Sequence, residues 1–110
     1  PPPEGLGGAQ NDLKLFRTRS GHSLRFEDRE GEERITLTDK NGNSLVISTA
    51  EDGLTLTAKS TLALKTDGEL TLSGKTIRLQ ADTVELKADS SLTLDGGGTA
   101  DLKAGTVNIN

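Results

Sequence analysis

Apolar residues two positions apart, recurring with short polar gaps between them, constrain this chain more than any other feature of its sequence. The pairs are Leu13/Leu15, Leu24/Phe26, Ile35/Leu37, Leu45/Ile47, Leu54/Leu56 and Leu62/Leu64. They continue as Leu70/Leu72, Ile77/Leu79, Val84/Leu86, Leu92/Leu94, Ala100/Leu102 and Val107/Ile109. Such a pair puts both side chains on one face of a β-strand, whereas a helix needs apolar residues three and four positions apart. The residues between the members of each pair run Lys14, Arg25, Thr36, Val46, Thr55, Ala63, Thr71, Arg78, Glu85, Thr93, Asp101 and Asn108, mostly polar, as a solvated sheet face requires.

Spacing divides the chain. From Leu54 onward successive pairs begin seven or eight residues apart, and before it nine to eleven. Small and turn-forming residues fill the gaps: Gly53, Thr66-Asp67-Gly68, Ser73-Gly74, Ala81-Asp82, Ala88-Asp89-Ser90, Gly96-Gly97-Gly98 and Ala104-Gly105. Asn41-Gly42 is a two-residue hairpin signal and Glu30-Gly31 a second turn, so the early repeats read as hairpin-like or looped. The later repeats keep their spacing without that punctuation, the pattern of a stacked, quasi-one-dimensional fold.

Composition narrows the choice. Apolar residues make up 31% of the chain and aromatics 2%, with no Cys, Met, Trp or Tyr, so the bulky fillers of a globular core are missing. With two inward side chains per strand, one chain encloses little per level, and three chains wound on one axis enclose more. The expected fold is therefore all-β: an intertwined homotrimeric triple-stranded β-helix, or β-prism, with repeats of 7–11 residues. Its expected trimer core comprises Leu54, Leu56, Leu62, Leu64, Leu70, Leu72, Ile77, Leu79, Val84, Leu86, Leu92 and Leu94. Twelve layers at about 4.8 Å give a shaft of roughly 60 Å. A monomeric solenoid and an antiparallel meander or sandwich are the alternatives. Residues 1–12, with three prolines and three glycines, read as a linker or the edge of a longer protein, 13–50 as the part with longer repeats, and 51–110 as the regular shaft.

Signals for chemistry are weak. The net charge is −4 with both signs interspersed, which is no nucleic-acid footprint, and no run reaches membrane-spanning length. His22 is the single histidine; Ser20 and Ser23 beside it do not have the geometry of a nucleophilic triad by sequence adjacency. Glu27, Asp28, Glu30, Glu32 and Glu33 alternate with Arg25, Arg29 and Arg34 and read as surface ion pairs; no aromatic platform for a sugar accompanies them. Asp95-Gly96-Gly97-Gly98-Thr99 faintly resembles a calcium-binding repeat, but it occurs once and has Thr99 where a glycine is required. The threonine pairs Thr36/Thr38 and Thr55/Thr57 lack the flat regular array of an ice-binding surface, because Arg78, Glu85 and Asp101 interrupt the series. No enzyme activity, cofactor or metal is expected.

The stretch Arg17 to Asp28 (RTRSGHSLRFED), then Gly31-Glu32-Glu33-Arg34-Ile35 and Asp39-Lys40-Asn41-Gly42-Asn43-Ser44, resembles the spike proteins of contractile injection systems. These are phage baseplate assembly protein V, the VgrG proteins of type VI secretion and the spikes of extracellular phage-tail-like particles. The Leu-x-Leu repeats and the closing Gly105-Thr106-Val107-Asn108-Ile109-Asn110 resemble their C-terminal β-helix. The resemblance implies a homotrimeric structural spike that pierces a target envelope and sits at the baseplate tip of a virion or secreted particle, assembled in the bacterial cytoplasm. It also implies a baseplate hub as upstream partner and a PAAR-type protein docked on Leu102, Val107, Asn108, Ile109 and Asn110. Two departures stand out: no histidine follows His22, so an iron-binding His-x-His apex is not expected, and nothing in these residues resembles the lysozyme or toxin domain that some relatives carry. A stalk of a trimeric tail fibre or adhesin is the alternative function.

Overall fold

The computed structural model describes residues 12–110, so most of the expected 1–12 linker lies outside the described residues. Five strands form one antiparallel sheet: β1 (Leu13–Arg17), β2 (Ser23–Glu27), β3 (Arg34–Thr38), β4 (Ser44–Ser48) and β5 (Gly53–Thr57). Each pairs with its neighbour in chain order, and β1 and β5 lie at opposite edges, so the sheet is an open meander. The chain divides into two compact units, the second being Thr71–Asn110.

This corrects the expected fold. The sheet is flat and open, built from consecutive hairpins within one chain, and it is not a β-helix or β-prism. Local turn chemistry explains the outcome. Gly21, Gly31 and Gly42 have φ of 107°, 85° and 94°, a region L-residues avoid, and each lets a connection close tightly enough for the next strand to return antiparallel. The hairpin signals at Glu30-Gly31 and Asn41-Gly42 thus extend into a rule for the whole first part of the chain, and the chain reverses where a β-helix would turn a corner.

Register decides which side chains share a face. One face carries two rows that cross all five strands: Lys14–Phe26–Ile35–Ile47–Leu54 and Phe16–Leu24–Leu37–Leu45–Leu56. Nine of those ten residues are apolar. The other face carries Leu15–Arg25–Thr36–Val46–Thr55 and Leu13–Glu27–Arg34–Ser48–Gly53. The Leu13/Leu15 pair therefore sits on the polar face, opposite to the other early pairs. Phe16 takes its place on the apolar face and is 55% exposed. A one-residue difference in phase sends a whole strand's side chains to the other side.

The sheet is a single layer. Leu24, Phe26, Ile35 and Leu45 are half-buried by their neighbours, Leu37, Ile47, Leu54 and Leu56 are exposed, and no apolar side chain is fully buried among the described residues. A sheet with one apolar face needs a second layer to cover it.

The β4–β5 connection holds the one non-glycine residue with positive φ among the described residues, Asp52 at 54°. Its N–H donates to the Thr49 carbonyl at 3.3 Å, closing the turn before Gly53. Asp tolerates this left-handed conformation better than most residues but still carries a cost that glycine escapes. Replacing Asp52 with Gly is expected to stabilise the sheet by about 0.5 kcal/mol, net of the extra freedom glycine gives the unfolded chain. Urea unfolding at fixed protein concentration checks the sign.

Candidate interaction surfaces

Two of the sheet's connections share one construction. Thr18-Arg19-Ser20-Gly21-His22 joins β1 to β2, and Asp39-Lys40-Asn41-Gly42-Asn43 joins β3 to β4. In each, the N–H of the first residue donates to the carbonyl of the fifth, at 2.8 Å for Thr18 to His22 and 3.0 Å for Asp39 to Asn43. The glycine N–H donates back to the first residue's carbonyl, at 3.1 Å for Gly21 and 3.2 Å for Gly42. The first residue's side-chain oxygen accepts the fifth N–H: Thr18 Oγ1 from His22 at 3.1 Å, and Asp39 Oδ1 from Asn43 at 2.9 Å. A polar side chain in this place satisfies a donor that the turn would leave open.

The correspondence extends along both hairpins. Residues 13–27 and 34–48 are offset by 21 positions, matching Phe16 with Leu37, Gly21 with Gly42, Leu24 with Leu45 and Phe26 with Ile47. Reading only apolar pairs hides this repeat, because its marks are a glycine and two capping oxygens in the connection.

The fifth residue of each connection then grips the next one. His22 Nδ1 accepts the Lys40 N–H at 3.2 Å, and Asn43 Oδ1 accepts the Lys59 N–H at 2.7 Å. With Nδ1 accepting, the neutral imidazole carries its proton on Nε2. His22 thus serves as a tether between connections. Two side chains link three successive pieces of backbone at one end of the sheet, where the strand ladder has stopped.

Asp39 anchors the middle of this chain of bonds. It accepts the Asn41 N–H at 2.9 Å through Oδ1 and the Asn43 side-chain amide at 2.7 Å through Oδ2, besides the Asn43 N–H. These bonds, the Asn43 side-chain amide foremost, hold its carboxyl below the ordinary value of 3.8. An open groove at this end is lined by His22, Leu37, Asn43, Leu45, Leu56 and Leu62, so the end of the apolar face and the tethered connections meet there.

At the opposite end Arg29 Nη1 lies 3.4 Å from Glu32 Oε2 and, on the polar face, Arg25 Nε lies 3.3 Å from Glu27 Oε1. The reading of the carboxylate-rich stretch as surface ion pairs holds for these two. No group of three metal-ligating side chains occurs among the described residues.

The remaining expected surface residues lie in the second half of the chain. Every residue from 59 to 110 is exposed and forms no paired strand within the chain. Glycine 97 is the one residue there with positive φ, and no helix forms. Of the expected core, Leu54 and Leu56 belong to β5 on the apolar face. Leu62, Leu64 and Leu70 follow it, and Leu72, Ile77, Leu79, Val84, Leu86, Leu92 and Leu94 lie in the second unit. Exposure reaches 79% at Leu94, and at the C-terminal end 76% at Leu102 and 89% at Ile109. The Asp95 motif forms a local turn: Asp95 Oδ1 accepts the Gly97 N–H at 2.9 Å, and Thr99 N–H donates to Gly96 at 3.3 Å. Compared with known proteins, the chain matches no family profile and no curated protein.

The bonds to Asp39 generate a pH-dependent expectation. Because its folded-state carboxyl is lowered, its contribution to stability is complete above the ordinary aspartate range and is lost as pH falls through the folded value. Asp39→Ala should melt below the wild type at neutral pH, and the gap should narrow as the solution is acidified below pH 3.8. Thermal melts of both proteins across that range test it.

Proposed function

We propose that this chain is a structural, non-enzymatic segment of the central spike of a contractile injection apparatus, acting as a homotrimer. The observation that carries the reading is the uncovered second half of the chain. Between Leu62 and Ile109, apolar side chains recur in pairs on backbone that forms no strand pairing of its own, and every one of them is exposed. Backbone without a strand ladder, carrying exposed leucines at this density, gains from partners that supply pairing and cover. Other copies of the chain can supply both a strand ladder and apolar cover, because each presents the same alternation. Assembly and ordering of this half then become one event.

Such an assembly suits a spike. Load along the axis is carried by paired backbone and a continuous apolar interior, and mixed charge on the outside limits adhesion to neighbours. No catalytic group takes part. The C-terminal residues Leu102, Val107, Asn108, Ile109 and Asn110 offer exposed apolar and amide groups to a PAAR-type tip protein. The place of action is the baseplate tip of a virion or secreted particle, beneath a hub that belongs to the rest of the apparatus.

Light scattering across a dilution series is expected to return a mass three times that of one chain, unchanged on dilution. A folded monomer throughout the series would overturn the reading. Leu72→Asp places a carboxylate in the stripe of every copy and is expected to abolish the assembly, since a buried unpaired charge costs several kcal/mol per copy. The outward-phase control Thr93→Asp should leave the mass unchanged. A Leu72→Asp protein that keeps the wild-type mass and thermal midpoint would show that this stripe is not the contact.

A further inference from the structure

The two side-chain tethers at one end of the sheet are alike in geometry and differ in chemistry. Asn43 Oδ1 accepts the Lys59 N–H at 2.7 Å, and His22 Nδ1 accepts the Lys40 N–H at 3.2 Å. Both residues hold the fifth position of their connections, and each is itself bonded back to the first residue. An amide oxygen accepts whatever the pH. An imidazole nitrogen accepts only while the ring is neutral, because protonation turns Nδ1 into a second donor.

The surroundings expose that event to solvent and do not compensate it. His22 is exposed, so a proton reaches the ring without any part of the sheet opening. Its own connection carries Arg19, and Arg17 ends β1 just before it. The β3–β4 connection that it bonds brings Asp39 and Lys40, and Lys59 follows β5 and lines the same groove. Four cations thus stand with one carboxylate at this end. Asp39 is engaged by Asn41 and Asn43, and its lowered carboxyl stays ionised across the interval in which histidine changes charge. The loop carboxylates Glu30, Glu32, Glu33, Glu51 and Asp52 belong to the connections at the opposite end. The backbones approach closely just before the ring: a Cβ added at Gly21, where φ is 107°, would meet the Lys40 Cβ at 3.3 Å. A protonated Nδ1 therefore sets donor against donor where the two connections already touch.

We propose that His22 is a proton-operated latch: acidification releases the Lys40 backbone from the β1–β2 connection, while the Asn43–Lys59 tether stays closed. The bond belongs to the neutral ring alone, so its contribution is present on the alkaline side and is lost as His22 takes up a proton. The strand ladders do not titrate, and the change stays local to the two connections. The latch lies within the first of the two compact units and does not depend on the assembly argued above.

The experiment is hydrogen exchange of the full chain, followed residue by residue by NMR from about pH 8 to about pH 5, the interval that spans histidine titration. Each rate is compared with that of an unstructured peptide at the same pH, so the quantity read is protection. Protection of the Lys40 N–H is expected to fall about fivefold across the interval, as loss of one ordinary hydrogen bond implies. Protection of the Lys59 N–H should stay level. His22→Asn installs the acceptor that Asn43 uses and should keep Lys40 protected throughout, whereas His22→Ala should leave it unprotected throughout. Ring nitrogen shifts at the alkaline end should place the proton on Nε2. Lys40 protection that stays level in the wild type, or falls equally in His22→Asn, overturns the proposal. So does parallel loss at Lys40 and Lys59, or a neutral ring with its proton on Nδ1. Light scattering on the same samples separates the two readings: a monomer with the pH response removes the spike assembly alone, and a trimer without it removes the latch alone.

Discussion

A side-chain oxygen at the first position of a five-residue connection, with glycine at the fourth, shapes two of the four connections on which the sheet depends. The oxygen of Thr18 or Asp39 satisfies the returning N–H, and the glycine supplies the backbone angle that the return requires. Strand register follows from the length of that connection. Register in turn places nine apolar residues on one face and the arginine, threonine and serine residues on the other. Change the connection by one residue, and the apolar face dissolves into a mixed surface.

Much of the strand content was legible from alternation. β2 through β5 fall on the pairs Leu24/Phe26, Ile35/Leu37, Leu45/Ile47 and Leu54/Leu56, and the hairpins at Gly31 and Gly42 were visible as turn signals. Phase in β1 was not. In LKLF alternation selects Leu13/Leu15, the phase with two apolar residues, over the phase that joins Phe16 to Lys14. Pairing with β2 selects the other: Phe16 faces Leu24, and Leu15 faces Arg25. Topology is hidden from alternation for a related reason. Pairs of inward residues look alike whether the chain reverses or turns a corner, and the distinction lies in single glycines with positive φ and, before Gly21 and Gly42, in the oxygen of Thr18 or Asp39.

The interaction surfaces were legible in part. The apolar stripe beyond Leu62 is a direct property of sequence, as is the cluster of carboxylates around Glu30. The cationic end of the sheet was not, since Arg17, Arg19, Lys40 and Lys59 are scattered over more than forty positions and come together only when the hairpins are counted. The tether role of His22 was invisible as well. Its partner is a backbone N–H eighteen residues away, and only the equivalence with Asn43 makes its place in the pattern plain.

Meanders have a parity. The first and third connections lie at one end, the second and fourth at the other, and each added hairpin contributes one connection to each. The offset of 21 residues between the two hairpins means that widening this sheet by another copy would put one more Gly-closed, lysine- or arginine-bearing loop beside its predecessors. The acidic loops would accumulate at the far side in the same step. Electrical polarity along the strands would therefore scale with width. A sheet of this kind has a defined front and back before any second protein meets it.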